Sequence, residues 1–410
     1  MATNVRPRFR LPTIDGPMAI AALLLVTIGL LTVYSATTVP GAHEGLWVKQ
    51  LMWFGIALVI AYFAAVLHYR VYDSLAIPAY LISLVLLVLV LVVGTSAMGA
   101  KRWLDLGPLK FQPSEIAKIA TVFLLARRFD NPSLDLRKFR HWFPAVLIAL
   151  VPFALVAKEP DLGTSLSVPV ILVAMYYWAG MPAGQLLLGL SPVANVALFF
   201  LTGSLWWFAA LFVALLAWVR PKLTTLILFV VLNGAVAYAV PHMWNHLHDY
   251  QKRRIETFLN PGADPYGAGY QIIQSRIAIG SGGLIGKGYL RGTQKGLSFL
   301  PMRHTDFIFS VVGEELGLLG ALTVVLLYAV IVLRGYRVAA AARNGFASLM
   351  AVGLVSALFY HVMVNLLMTI GWAPVTGLPL PLLSYGGTAL IVNCVQLGLL
   401  QNVALRRQEY

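Results

Sequence analysis

The sequence predicts an all-α polytopic membrane protein, a bundle of about 10 to 12 transmembrane helices with one large extracytoplasmic loop. Hydrophobic residues make up 59% of the 410 residues and charged residues only 11%, which is more apolar surface than a soluble core can bury. Apolar runs of about 20 residues, enough to cross about 30 Å of hydrocarbon, recur along the chain. Because the bilayer offers the backbone no water to bind, these runs are predicted to be helices.

The apolar runs follow one another within what we interpret as a single domain, residues 1–410. They cover residues 16–36, 46–67, 75–94, 112–127, 142–157, 162–180, 184–202, 204–219, 223–241, 304–334, 345–370 and 380–404. Residues 184–219 are about two spans long and are broken only by Gly203 and Ser204, so we interpret them as an additional helical hairpin. If this segment is re-entrant, the count falls from about twelve to about ten. Both numbers are even, so both termini are predicted to lie on the same side of the membrane.

The distribution of Lys and Arg predicts that this side is the cytoplasm. With the N-terminus inside, the cytoplasmic segments collect Arg6, Arg8, Arg10, Arg70, Arg127, Arg128, Arg137, Lys138, Arg140, Arg220, Lys222, Arg334, Arg337, Arg343, Arg406 and Arg407. The opposite orientation would export nearly all of them. We therefore expect a multi-pass protein of the cytoplasmic membrane with both termini in the cytoplasm. Cys394 is the only cysteine, which excludes a disulfide within the chain.

The long outer loop, residues 242–303, contains the segment NPGADPYGAGYQ. Pro261 and Pro265 lie on either side of Asp264, and glycines follow, so the backbone of this aspartate is restricted. One interpretation is that Asp264 closes a turn or caps a helix beginning near Tyr270. The other is that its carboxylate is positioned for chemistry. For an Asp-Pro pair in a turn, the residues alone favour the first.

The same loop is rich in basic residues, namely Lys252, Arg253, Arg254, Arg276, Lys287, Arg291, Lys295 and Arg303. They either contact anionic lipid headgroups or form a pocket for a diphosphate or another polyanion. In the second case the glycine-rich segment GSGGLIGKG, residues 280–288, is predicted to turn its backbone N–H groups toward the anion. Composition alone leaves both alternatives open.

Ionisable residues also lie within the predicted spans, where burying them is costly and often marks a cavity or a pathway. Glu115 and Lys118 stand at i and i+3 of one helix, so they share a face and can form an ion pair. Such a pair alternatively braces the bundle. Asp306, Glu314 and Glu315 pose the same question on a later helix.

The segment AKRWLDLGPLKFQPSE, just before the helix of Glu115, mixes aromatic residues with cations. Trp103 is suited to the membrane interface, and Arg102 and Lys110 are suited to anionic groups.

His242 and His246 would share a metal ion only if their turn is helical. A position at the membrane interface is the more ordinary interpretation of these histidines, so no metal site is predicted. The sequence contains no P-loop, Rossmann fingerprint, serine nucleophile elbow or HExxH zinc motif, so nothing in it points to the enzyme classes that use them.

Five long motifs make the chain recognisable: KRWLDLGPLKFQPSEIAK, EPDLGTS, DPYGAGYQIIQS, GKGYLRGTQKGLSFLPMRHTDFIFSVVGEELG and PLPLLSYGGT. In these motifs it resembles the SEDS family of shape, elongation, division and sporulation proteins, and the GTQ and FLPMRHTDF segments resemble its RodA branch. Met302 departs from the glutamate common at that position in RodA-like sequences. Members usually have ten spans, so the hairpin at 184–219 is predicted to be an addition.

The resemblance implies a RodA-like peptidoglycan glycosyltransferase that polymerises lipid II at the outer face of the bacterial cytoplasmic membrane, for cell elongation and rod shape. Asp264 matches the aspartate of the family's DPxGxGYQ motif, which makes it the predicted general base. The leaving diphosphate calls for cations, and a divalent cation, Mg²⁺ or Mn²⁺, is a candidate cofactor. The predicted substrate-binding residues are Lys118, Glu115, Arg102, Trp103, Lys110, Arg253, Arg254, Gln271, His304 and Ser384.

The resemblance also implies partners. These are lipid II, a class B penicillin-binding protein whose transpeptidase crosslinks the strands, elongation machinery with MreB-type filaments, and membrane lipids, with no nucleic acid. Two other classes of function stay open, a flippase that moves lipid II across the membrane and a structural scaffold of the cell-wall complex. A flippase needs alternating access, for which internal repeats are the usual signal, and this sequence has no recognisable repeat.

Overall fold

The computed structural model describes residues 14–38, 45–97, 100–105, 110–202, 206–246, 252, 256–258, 260, 262, 269–293 and 302–407. Asp264, Arg253 and Arg254 lie outside the described residues. For Lys101 and Lys110 the backbone is described and the side chain is not.

Helices form at all of the predicted apolar runs. They are α1 (Gly16–Thr37), α2 (Leu46–Val66), α3 (Tyr69–Val93), α4 (Pro113–Phe129), α5 (Phe139–Lys158), α6 (Leu162–Trp178), α7 (Ala183–Thr202), α8 (Trp206–Val219), α9 (Leu223–His246), α10 (Tyr270–Ser281), α11 (Ile308–Ala341), α12 (Gly345–Thr369) and α13 (Gly387–Leu405). Within the described ranges, 7 helices are long and apolar enough to cross a membrane, namely α1, α2, α3, α5, α11, α12 and α13. The predicted α-helical polytopic fold is therefore confirmed.

The other helices depart from a simple span in two ways. Helices α6 to α9 are apolar, but their apolar segments are shorter than those of the seven candidate spans. The 14 residues of α8 extend about 21 Å, which is less than the thickness of the hydrocarbon core. A double crossing by α7 and α8 therefore stays a prediction. Helix α4 carries Glu115 and Lys118 and two arginines, yet most of its residues are buried, because it lies inside the bundle rather than against lipid.

Long-range polar contacts define two ends of the bundle. At one end, which we call the terminal face, Asp15 before α1 pairs with Arg334 of α11, with 2.6 Å between Oδ2 and Nη2. At the other end, the loop face, the Ser35 hydroxyl of α1 donates to Glu315 Oε1 of α11 at 2.7 Å. Helices α1 and α11 are therefore antiparallel neighbours. By alternation, the connections after α3, α5 and α12 lie on the loop face.

Burial separates central helices from peripheral ones. In the most apolar window of α12, 72% of the residues are buried, and in α13 61% are, whereas α2 buries only 17%. Helix α12 packs against α4, α6 and α11, and α13 packs against α2. The core of the bundle is thus built around α4, α12 and α13, and the large exposed apolar side chains of α2 and α3 are the surface that faces lipid.

Helices α7, α8 and α9 form a small peripheral unit with its own apolar cluster, to which Leu188, Phe208 and Phe229 belong. Two buried asparagines hold α7 to α9. Asn233 Nδ2 donates to Ser191 Oγ at 2.8 Å, and Asn195 Nδ2 donates to the carbonyl of Asn233 at 3.2 Å. Polar side chains bridging helices in this way are a common means of helix association where lipid provides no hydrophobic driving force.

A small antiparallel sheet between α3 and α4 was not predicted. It consists of β1 (Thr95–Ala97), β2 (Ala100–Asp105) and β3 (Lys110–Phe111), in the order β1-β2-β3. The sequence indicated only residues suited to the membrane interface and to anionic groups in this segment. Its strands pair with each other, which satisfies the backbone groups of the connection and fixes Arg102 and Trp103 next to the start of α4.

Helix α11 is interrupted, where the sequence predicted one continuous span. Gly317 has φ 65° and ψ −163°, a conformation that favours glycine and ends the regular hydrogen-bonding pattern. The N–H groups of Leu318 and Leu319 donate instead to carbonyls of the glycine-rich segment, at 2.9 and 3.1 Å. The backbone groups freed by the break are therefore satisfied inside the protein, as a lipid environment requires.

The glycine-rich segment, residues 280–288, uses two of its backbone N–H groups within the protein. The N–H groups of Lys287 and Gly288 donate to the carbonyls of Glu314 and Glu315, each at 3.0 Å. These two N–H groups are taken up by the break in α11, and an anion contact by the rest of the segment stays a prediction. Sequence alone could not reveal these hydrogen bonds, because the carbonyls that accept them belong to a distant helix.

Candidate functional site

The candidate site lies on the loop face, where α4 begins. Pro113 occupies the first helical turn, where its missing N–H costs nothing, and Glu115 follows in the same turn, where a negative charge is favoured by the helix dipole. Lys118 comes one turn later on the same side. Its Nζ is 2.8 Å from Glu115 Oε1, so the predicted i, i+3 ion pair forms.

A third residue, His361 of α12, completes this cluster. Lys118 Nζ is 2.7 Å from His361 Nε2, and all three side chains are buried. An ammonium has only donors, so a charged Lys118 requires Nε2 to accept and the imidazole to be neutral with its proton on Nδ1. We call Glu115, Lys118 and His361 the lysine cluster.

The contacts of the lysine cluster bear on the two interpretations of the Glu115–Lys118 pair. The cluster braces α4 against α12, because a buried charge needs a partner and hydrogen bonds. It also leaves Lys118 with one N–H for which the described residues offer no acceptor, since two of its three donors are used. Contact of this third N–H with an anionic ligand stays a prediction.

The EPDLGTS motif meets the segment before α4. Asp161 caps α6 by accepting from the Thr164 N–H at 3.2 Å, and its second oxygen accepts from Gln112 Nε2 at 3.1 Å. Arg102 of β2 lies beside it, with Nη1 3.9 Å from Asp161 Oδ1 and Nη2 donating to the Pro160 carbonyl. These contacts orient the guanidinium, and 21% of the Arg102 side chain is exposed.

Glu159, at the end of α5, is a buried carboxyl that the sequence analysis did not single out. Neither of its oxygens has a hydrogen-bond partner among the described residues. Burial raises the pKa of Glu159 to about 8, with the Asp161 charge adding to the rise and Arg102 opposing it. At neutral pH the carboxyl is therefore mostly protonated and can act as a hydrogen-bond donor.

Ser384 and His304 join two motifs rather than standing free. The hydroxyl of Ser384 donates to the Thr305 carbonyl at 2.6 Å and accepts from the Leu380 N–H at 2.8 Å. The N–H of Tyr385 donates to the carbonyl of His304 at 2.9 Å. These contacts hold the MRHTDF segment against SYGGT, so the structure gives Ser384 a structural role, and its substrate contact stays a prediction.

The remaining predicted substrate-binding residues are only partly described. Gln271 is the second residue of α10 and is half-buried, and its side chain has no hydrogen-bond partner in the part of the chain that the structure describes. Trp103 is half-buried in β2. Lys110 begins β3, and its side chain is outside the description. The roles of these residues, and those of Asp264, Arg253 and Arg254, stay predictions.

Glu314 and Glu315 are partnered and brace the break in α11. Glu314 Oε1 accepts from Lys287 Nζ at 2.7 Å and from the Thr293 N–H at 2.7 Å, and Glu315 accepts from the Ser35 hydroxyl. Of the two alternatives raised for these buried carboxylates, the structure favours the brace.

No metal centre is formed by the residues that the structure describes, since they contain no group of three or more His, Cys, Asp or Glu side chains able to hold an ion. His242 Nδ1 lies 2.8 Å from the carbonyl of Tyr238, one turn earlier in α9. The side chain of His246 is outside the description.

Comparison with known proteins decides the family. A sequence model of the FtsW/RodA/SpoVE family, described as cell cycle proteins, matches residues 17–206 and 200–409. The chain belongs to this family. The resemblance to SEDS proteins is thereby confirmed. Peptidoglycan glycosyltransferase MrdB of Escherichia coli is 40% identical over 396 residues, which cover 96% of this chain and 94% of that protein.

Other members of the FtsW/RodA/SpoVE family are similar to this chain over nearly its whole length. The probable peptidoglycan glycosyltransferase FtsW of Geobacter metallireducens is 34% identical over 402 residues, covering 96% of this chain and 95% of that protein. A chain from a peptidoglycan synthase complex has a TM-score of 0.75 and 30% identity, covering 97% of this chain and 99% of its own. The crystal structure of rod shape determining protein RodA from Thermus thermophilus has a TM-score of 0.65 and 28% identity, with the same coverage.

The fold brings four motifs of this FtsW/RodA/SpoVE member to one face: the start of α4, EPDLGTS, MRHTDF and SYGGT. Sequence analysis found Lys118, Glu115 and Arg102 there and missed His361 and Glu159. The only signal for His361 was a single histidine in the apolar run of α12, which more often means an ordinary buried residue than a functional one.

Proposed function

We propose that this chain is a RodA-like peptidoglycan glycosyltransferase that polymerises lipid II into glycan strands. The observation that carries the proposal is 40% identity over 96% of the chain to the peptidoglycan glycosyltransferase MrdB. The lysine cluster and Arg102 support it, because they put oriented cations on the loop face, where the leaving diphosphate of such a reaction needs them.

In this proposal Asp264 is the general base. The 4-hydroxyl of an acceptor GlcNAc attacks C1 of a donor MurNAc, and the new C1–O bond forms as the bond to the lipid diphosphate breaks. The hydroxyl proton passes to the Asp264 carboxylate and then to water, and undecaprenyl diphosphate leaves. Inversion at C1 needs no covalent intermediate, which fits a motif with a single carboxylate.

Lys118 is proposed to stabilise the charge that develops on the diphosphate. Its own charge is largely offset by Glu115, so it acts through one directed N–H rather than as a free cation. Arg102, whose side chain is partly exposed, and the basic residues Arg253 and Arg254 are proposed to supply the net positive charge.

A divalent cation, Mg²⁺ or Mn²⁺, is proposed as an additional stabiliser of the diphosphate. Mg²⁺ is commonly held by one or two carboxylates together with substrate phosphates, so a dedicated protein cage is not required. Asp264 would help to hold such an ion, which would supply positive charge opposite the departing diphosphate.

We further propose that the chain works with a class B penicillin-binding protein in the elongation machinery organised by MreB-type filaments. The similarity to a chain of a complex that coordinates polymerization and crosslinking supports a transpeptidase partner. The bias of Lys and Arg toward the terminal face supports an orientation with both termini in the cytoplasm and the loop face outside.

The test is lipid II polymerisation by the purified protein with its class B partner, comparing the native chain with Asp264→Asn. Glu256→Gln, in the same loop and exposed, is the matched control. We expect strands from the native chain and the control, and a loss of at least about a hundredfold for Asp264→Asn, the range for removal of a general base. Full activity of Asp264→Asn would refute its role as the base.

A further inference from the structure

A basic cavity lies on the terminal face, on the opposite side of the bundle from the candidate site. Its volume is about 690 Å³, and it opens between the α4–α5 connection and the turn that joins α8 to α9. Arg137, Lys138, Arg220 and Lys222 line it, with Asp135 as the only acidic lining residue.

Most of this positive charge is not neutralised within the protein. Lys138 Nζ is 3.7 Å from Asp135 Oδ2, but no ion pair among the described residues involves Arg137, Arg220 or Lys222. The Arg137 N–H donates to Asp135 at 3.1 Å, and this bond, with the nearby cations, holds the pKa of Asp135 below its usual range. The cavity is therefore a concentrated site for an anion.

The cavity also lies at headgroup depth. Helix α8 ends at Val219 and α9 begins at Leu223, so the cations of the turn between them come directly after apolar helices. Trp218, a residue type typical of the membrane interface, lines the same cavity. Its side chain is 67% exposed.

An exposed apolar stripe of α9 begins at Leu223, directly after the cavity residue Lys222. Leu223, Ile227 and Val231 follow at intervals of one helical turn and are 69%, 54% and 64% exposed. A ligand that fits both features has an anionic head of phosphate size and long apolar chains. A soluble phosphate would use only the cavity, and an acidic protein segment would gain nothing from the stripe.

We propose that this cavity binds the phosphodiester headgroup of an anionic phospholipid, whose acyl chains lie along the exposed stripe of α9. The lipid ties the peripheral unit of α7 to α9 to the α4–α5 connection, because the cations that hold its phosphate come from both. This site is independent of the proposed glycosyltransferase reaction and would exist equally in a transporter.

The test is native mass spectrometry of the full chain released from nanodiscs that contain equal amounts of phosphatidylglycerol and phosphatidylcholine. Two double variants remove charge from the two sides of the cavity separately, Arg220→Gln with Lys222→Gln and Arg137→Gln with Lys138→Gln. Arg140→Gln, which removes an exposed cation nearby that does not line the cavity, is the matched control. Thermal midpoints in pure phosphatidylcholine check that all variants are folded.

We expect the native chain and Arg140→Gln to retain phosphatidylglycerol preferentially, and each double variant to lose that preference by about tenfold. Glycerol phosphate should not displace the bound lipid. Equal retention of the two lipids by the native chain, or an undiminished preference in both double variants, would overturn the proposal. Displacement by glycerol phosphate as efficient as by phosphatidylglycerol would also overturn it, because the acyl chains would then contribute nothing.

Discussion

The directed N–H of Lys118 depends on two acceptors that belong to different helices. Glu115 shares α4 with it, whereas His361 comes from α12, 243 positions along the chain. A lysine side chain has several rotatable bonds, so a single acceptor would leave its ammonium free to swing, and the second acceptor fixes it. In the proposed reaction His361 is therefore a positioning residue, which acts through Lys118.

Replacing His361 by leucine should lower the kcat of lipid II polymerisation by about tenfold or more. A hydrogen bond to a charged group contributes about 1.5–3 kcal/mol, and about 1.4 kcal/mol corresponds to a factor of ten. His361→Gln keeps an acceptor and should recover most of the rate. The KM for lipid II should change little in both variants.

Steady-state kinetics at equal amounts of folded protein separates this role from a purely structural one. If His361→Leu keeps the native kcat, or if His361→Gln is as impaired as the leucine variant, His361 does not position Lys118.

Glu159 should make stability depend on pH. The native protein raises the pKa of this carboxyl to about 8, well above the ordinary value of 4.5, so between these values the folded state holds a proton that the unfolded state has lost. Stability contributed by this group is therefore fully present below about pH 4.5 and is lost as pH rises toward 8.

Glu159→Gln mimics the protonated carboxyl at every pH. Its thermal midpoint should match that of the native chain near pH 5 and exceed it by about 2 °C or more at pH 8. Thermal unfolding in detergent across this range measures the difference. A difference that does not grow with pH, or a native chain that is the more stable at pH 8, would show that the carboxyl is charged and paired instead.

At the scale of elements, the junction between α11 and the glycine-rich segment illustrates what sequence could and could not predict. Apolar runs predicted the helices because burial in lipid dictates length and hydrophobicity. They did not predict the break at Gly317, since a glycine within an apolar helix is common in membranes. For residues 280–288, which meet the break, the sequence left an anion site open as one of two alternatives, because it does not say which carbonyls their N–H groups will meet.

Gly286→Ala should strongly destabilise this junction. A Cβ at Gly286 would lie 2.1 Å from the carbonyl oxygen of Glu315, and its φ of 81° disfavours any other residue. We expect loss of most folded protein in detergent, measured by size-exclusion chromatography and thermal unfolding. Gly280→Ala, where a Cβ has no neighbour within 4 Å, is the matched control and should behave as the native chain. Equal stability of the two variants would contradict the described junction.

At the scale of the whole molecule, composition predicted a polytopic bundle but could not predict which helices are central. Helices α12 and α2 have similar mean hydropathy, 1.9 and 1.6, yet the buried shares of their windows are 72% and 17%. Lipid and protein interior are equally apolar, so hydropathy does not distinguish them. His361 was missed for the same reason, because nothing in the sequence of α12 indicates that it meets α4.

The candidate site was predictable where chemistry and local geometry coincide. The ion pair of Glu115 and Lys118 follows from helical spacing, and the family motifs lead to Arg102 and the SYGGT segment. Glu159 could not be predicted to be neutral, since its burial depends on how α5 ends against the segment before α4. We therefore propose that the protein is a polymerase whose reaction occurs at the loop face.

One measurement tests that claim most directly. Proteoliposomes containing the protein and a class B partner with its transpeptidase blocked by a β-lactam are supplied with labelled lipid II, and glycan strands and movement of lipid II across the bilayer are recorded together. We predict strands, with lipid II movement no faster than in protein-free vesicles. Rapid movement without strands would contradict the account and identify the chain as a transporter.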